Sequence, residues 1–254
     1  MDKRHQISWK HLLTAIVMAN GLLGTANTSL AATDGTHTRA PATSGALVAE
    51  ANPHLQASKS VWRGASYAEW TQRWWQWYNS IPLNVNPSRD DQGTQCGINQ
   101  AGPVWFIGGP LGSTFERSCT IPQGTAILSP IADFLNDYPC PDPSFQPAAG
   151  QTLEDFLIQT VAPIIEGITV YEADLDGQPL PARRVTTGLF PFTAAADLVA
   201  VDSCVTGSPQ LGVSDGYFLF IEPLPPGEHT LHIHSEIPSL NLSSDGTYHL
   251  TITK

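Results

Sequence analysis

Short runs rich in β-branched and aromatic residues recur along the chain after residue 100. They are GPVWFIGG, GTAILSPI, ITVYEADL, VTTGLFPF, GYFLFIEPL, EHTLHIHSEI and GTYHLTIT. Gly, Pro, Asp and Asn punctuate them, which is the pattern of strands joined by turns. In EHTLHIHSEI a period of two sets Leu231 and Ile233 on one side and Thr230, His232 and His234 on the other. In GTYHLTIT the same period turns Tyr248, Leu250 and Ile252 inward and His249 outward with Thr251 and Thr253. Tyr217 to Ile221 is apolar at every position, as a central strand covered on both faces would be.

Two segments carry a helical period instead. Ser66 and Glu69 have the spacing of a capping box. Tyr67, Trp70, Trp74 and Trp77 then recur on one helical face until Pro82. A second helix is predicted from Thr152, with Leu153, Phe156, Leu157, Val161, Ile164 and Ile165 as its apolar stripe and Gly167 as its stop. Pro163 is expected to kink or break its last turn. Together these elements predict a mainly β chain: an antiparallel β-sandwich, jelly-roll or Ig-like, with a Trp-rich N-terminal helix and a second inserted helix.

The first residues read differently. MDKRHQISWKH is basic, LLTAIVMANGLLG is apolar, and small residues stand at Ser29 and Ala31. This predicts a signal peptide over residues 1–31, cleaved after Ala31. Residues 32–60 are rich in Ala, Thr, Ser and Gly and predict a flexible linker. Residues 61–254 then form a single domain of ordinary size. The expectation is an exported protein, periplasmic or extracellular, with no integral membrane segment after signal cleavage.

Export changes the reading of charge and of cysteine. Loss of residues 1–31 removes Lys3, Arg4, Lys10 and Asp2, taking 12 basic side chains to 9 and 23 acidic ones to 22, a net of −13. So few cations exclude nucleic acid as a partner, and the acidity mainly favours solubility, with attraction of cations as a second effect. Cys96, Cys119, Cys140 and Cys204 predict two disulfides in an oxidising compartment. Of the three pairings, Cys96–Cys119 with Cys140–Cys204 is favoured, because the first would tie a hairpin-sized segment. No CxxC spacing supports zinc on these cysteines.

Two candidate sites emerge. If the strands of EHTLHIHSEI and GTYHLTIT are neighbours, His232, His234 and His249 share an outer surface, and neutral imidazoles there would suit copper or zinc. Asp215, Glu222, Glu228, Glu236 and Asp245 are the nearby carboxylates. The competing reading makes these histidines the wet side of a strand. Trp70, Trp74 and Trp75 are the second candidate, a stacking platform for a saccharide or apolar ligand. The competing reading there is core packing, with Trp75 lying off the stripe. No GxSxG, HExxH, P-loop or GxGxxG occurs. Asp174-Leu-Asp176-Gly begins like a calcium loop but reads better as a hairpin turn. Paired carboxylates for glycoside hydrolysis remain open at this level.

The block WTQRWWQW followed by SIP and NP, then QAGPVWFIGG, RSCTIPQGTAILSPI, DGYFLFIEPLPPGEHTLHIH and TYHLTIT, resembles a group of uncharacterised exported bacterial proteins. The likeness spans roughly residues 61 to 254. It implies a single exported domain and no particular reaction. His234 departs from the group's pattern, in which GEHT recurs more readily than the second histidine of H-x-H. Two functions follow as expectations. One is an exported binding or envelope-associated protein for a saccharide, apolar or protein ligand. The other is a copper- or zinc-dependent extracytoplasmic enzyme using His232, His234 and His249.

Overall fold

The computed structural model describes residues 61–90 and 92–254. The predicted signal peptide and linker, residues 1–60, lie outside the described residues.

Helix α1 spans Tyr67–Ser80. Its capping box is complete: the Ser66 N–H donates to Glu69 Oε2 at 2.6 Å, and the Glu69 N–H donates to Ser66 Oγ at 3.3 Å. Helix α2 spans Leu153–Glu166, capped by Thr152 and ended at Gly167. It runs three residues past Pro163, so the expected break does not occur. Leu157, Val161, Ile164 and Ile165 are all buried, and this packing holds the last turn in place.

Ten strands follow one another in the order β1 Val104–Phe106, β2 Thr114–Pro122, β3 Ala126–Tyr138, β4 Val170–Leu175, β5 Gln178–Pro179, β6 Arg183–Thr186, β7 Phe190–Thr193, β8 Pro209–Ile221, β9 Gly227–Ile237 and β10 Leu242–Thr253. The run VTTGLFPF, read as one strand, is two, β6 and β7, each pairing with a different part of β8. The first sheet has the order β1-β3-β8-β6, with β7 also on β8, and the second the order β2-β10-β9-β4-β5. Both are mixed sheets. β1 lies parallel to β3 and β2 lies parallel to β10, while the other pairings are antiparallel as expected. Each parallel pair joins strands that no tight hairpin connects, so the alternation that predicted the strands carried no information on their direction.

The first sheet is covered on both sides, as β8 shows. Phe218 and Phe220 point to α1, where they join Trp70, Trp74, Trp75 and Trp77 in one apolar cluster. Leu219 and Ile221 point the other way, into a cluster shared with Ile121, Leu231, Tyr248 and Leu250 of the second sheet. The continuously apolar Tyr217–Ile221 run is thus the central strand it was expected to be. The second sheet gives only one face to this core. Its strand β2 alternates exposed and buried along its whole length, and the outer face of β4, β9 and β10 stays open to solvent.

This packing settles the tryptophans. Trp70, Trp74 and Trp75 are no more than 9% exposed. Trp74 Nε1 donates to the Ile107 carbonyl at 2.8 Å and Trp75 Nε1 to Ser214 Oγ at 2.7 Å. The stacking platform expected of Trp70, Trp74 and Trp75 is therefore not presented to solvent. Trp75 lies off the main stripe yet is buried, because residues of the first sheet flank that side of α1 as well. Both favoured disulfides are present, Cys96–Cys119 and Cys140–Cys204.

Candidate functional site

Register along the second sheet assembles the site. In the β9–β10 ladder His232 stands opposite Thr247, His234 opposite Asp245, and Thr230 opposite His249. On the other flank of β9, Asp174 stands opposite His232 and Glu172 opposite His234. Beyond β10, Glu116 pairs with Thr247 and Ser118 with His249. Directly paired residues share a face, so His232, His234 and His249 occupy one outer surface as predicted.

Each imidazole is engaged by carboxylates. His232 Nδ1 lies 3.4 Å from Asp174 Oδ2, and its Nε2 lies 3.2 Å from Asp245 Oδ1. His234 Nδ1 lies 3.0 Å from the Ser244 carbonyl and 3.6 Å from Asp245 Oδ2, with Glu236 Oε1 3.5 Å from Nε2. His249 turns away toward β2, where Nε2 meets Glu116 Oε1 at 2.6 Å. Asp245 therefore links His232 and His234, and His249 stands apart with its own partner. Among the described residues, the metal-type donors that converge within 4.8 Å are Asp137, Asp202 and Cys204. The Cys204 sulfur is held in a disulfide and offers no thiolate.

The face is acidic without relief. Glu116, Glu172, Asp174, Glu228, Glu236 and Asp245 all belong to its strands, and the one cation of those strands, Arg117, points into the core. Glu172, Asp174 and His232 also line a shallow depression of about 510 Å³ beside β4 and the β5 turn. Tyr171 forms part of its wall. This ring is 41% exposed and stacks on Tyr217 at 3.8 Å between centroids.

The fourth histidine has a different place. His229 stands opposite Leu250, with inward parity, at the mouth of the strand. Its Nδ1 meets Asp176 Oδ2 at 2.7 Å and its Nε2 the Pro225 carbonyl at 3.0 Å. Partial burial opposes its protonation. The Asp176 hydrogen bond, the Pro225 carbonyl and the Asp176 and Glu228 charges outweigh that and hold its pKa above the usual value. Asp176 and Gly177, with φ of 54° and 75°, form the β4–β5 turn, so the DG pair is the predicted hairpin and not a calcium loop.

Sequence reasoning missed Glu116, Glu172, Asp174 and Tyr171, which arrive from β2 and β4, far from the histidines in the chain. Of the carboxylates it named, Asp245 and Glu236 lie beside His232 and His234. Asp215 instead binds Arg184 on the first sheet at 2.6 Å, and Glu228 accepts from Thr251 at 2.9 Å.

No family model matches this chain, and no curated protein matches it. Among solved structures, one described as the structure of PbICP-C in complex with falcipain-2 is matched at 12% identity and a TM-score of 0.23. The match covers 60% of this chain and 100% of that one.

Proposed function

We propose that the protein is an exported binding protein, built as a β-sandwich, whose binding surface is the outer face of β4, β9, β10 and β2. Its ligand on this reading is cationic, a Lys- or Arg-bearing segment of a protein partner. The two disulfides fit an oxidising compartment. Among the described residues no helix is long and apolar enough to cross a membrane. The observation that carries the reading is an open face with six carboxylates and, among the described residues of its strands, no outward Lys or Arg. Such a field draws cations and speeds their encounter.

The test is fluorescence anisotropy of a labelled Arg/Lys-rich peptide against the exported protein. Binding that weakens with added salt, and that is lost in an Asp174→Asn, Asp245→Asn double variant, supports the reading. Equal binding of a Glu-rich control peptide overturns it.

A second reading is a copper- or zinc-dependent extracytoplasmic enzyme. The position of the Asp245 carboxylate between His232 and His234 favours it, since imidazole and carboxylate together suit either metal. His249 would have to leave Glu116 to join them. Metal content by mass spectrometry on tag-free exported protein decides this. Stoichiometric metal, lost in a His232→Ala, His234→Ala double variant, supports the metal reading. Protein that takes up none from buffered copper or zinc rejects it.

A further inference from the structure

A small cavity lies on the inner side of the strands that carry the acidic face. Arg117 of β2, Tyr248 of β10, Asp90, Ile107, Gly108 and Cys119 are among its walls, and its volume is about 20 Å³. That is room for a single species of water size. Arg117 is 4% exposed and Tyr248 is 2% exposed.

The guanidinium is only partly accommodated. Nη1 donates to the Gly108 carbonyl, Nη2 donates to the Pro87 carbonyl at 2.6 Å, and the group lies 4.9 Å from the Phe115 ring centroid. Nε has no partner among the described residues, and neither has the Tyr248 hydroxyl. No carboxylate comes within salt-bridge distance of Arg117 among the described residues. Asp90 lines the same cavity, but its oxygens accept from the Thr94 N–H and hydroxyl and from the Gln95 N–H, at 2.8 to 2.9 Å. Arginine stays charged at all accessible pH. A buried charge without a counter-charge is costly and is normally compensated.

We propose that this cavity is a binding site for one halide-sized anion, held between Arg117 Nε and Tyr248 Oη. Two buried donors without partners belong to residues that line the cavity, and Arg117 has no carboxylate within salt-bridge distance among the described residues. Water would satisfy the donors and leave the charge uncompensated, whereas chloride answers both. Burial holds the Tyr248 phenol well above its usual range, so it remains an O–H donor. The site is independent of whatever occupies the outer face.

The experiment uses the exported, disulfide-bonded protein and two readouts. Crystals grown in sodium bromide are measured at the bromine edge, and an anomalous peak between Arg117 and Tyr248 is expected. Thermal melting is followed at constant ionic strength while chloride replaces gluconate, which is too large for the cavity. The melting temperature should rise along a saturating curve. Tyr248→Phe keeps the ring and removes one donor, and should move that curve to about tenfold higher chloride. Absence of the bromide peak, or melting indifferent to the anion in the wild-type protein, overturns the proposal even if the variant fails to fold.

Discussion

Asp245 stands directly opposite His234 across the β9–β10 ladder, yet its carboxylate is closer to His232, at 3.2 Å against 3.6 Å. One carboxylate thus binds two imidazoles from the same strand, and Asp174 holds the first of them from the other side at 3.4 Å. The result is a row of alternating acid and base across three strands. Such a row is set by pairing register, because a shift of one residue would send its members to the core.

Asp245→Asn tests this row. Loss of one exposed carboxylate is expected to weaken a basic peptide about three- to fivefold, in keeping with about 1 kcal/mol for an exposed ion pair. Melting temperature should change by only a few degrees. Anisotropy titration and thermal melting on the same sample measure both.

His229 gives a pH dependence of definite sign. Its folded pKa is raised above the unfolded value. The folded state therefore holds the proton more tightly. The stabilisation is fully present below the unfolded pKa of about 6.5 and is lost as pH rises through the folded pKa. His229→Asn should cost more stability at pH 5.5 than at pH 8.5, read from urea midpoints at about those two values. An equal cost at both would remove the charged contact with Asp176.

Trp75→Ala is a stability variant on this structure. It empties a buried site and strands Ser214 Oγ without its indole donor. A loss of about 3–5 kcal/mol is expected in denaturant unfolding. At a temperature where the variant is folded, peptide binding to the acidic face should match the wild type.

The disulfides should differ in weight. Cys140–Cys204 closes a sequence separation of 64 and Cys96–Cys119 one of 23. By loop entropy alone the first contributes about 4 kcal/mol and the second about 3. Paired Cys→Ser variants compared by chemical denaturation should rank in that order.

Local chemistry was legible in the sequence and long-range pairing was not. Ser66 with Glu69, and Thr152 with Asp155, announce both helices because capping depends on residues three apart. Outward placement of His232, His234 and His249 follows from a period of two and needs only that β9 and β10 be neighbours. The acids that hold them come from elsewhere. Glu116 lies on a strand parallel to β10, and Asp174 on a strand joined to β9 only through the sheet. No spacing rule reaches across such distances. Trp75 was misplaced for a related reason, since helical periodicity marks one face as buried and cannot count how many sides will be covered.

The topology also sets an order of assembly. β2 has β10 as its one neighbour in the second sheet, and the pair matches Thr114 with Asp245 across more than half of the described chain. Until β10 is in hand, β2 exposes both edges while its inner side chains have little to rest on. Contacts of such long sequence separation form slowly, because chain entropy is surrendered before pairing returns it. The acidic face is thus a late surface, complete only when β10 slides between β2 and β9. A chain released one segment at a time from its N-terminus would leave this face incomplete until β10 was free.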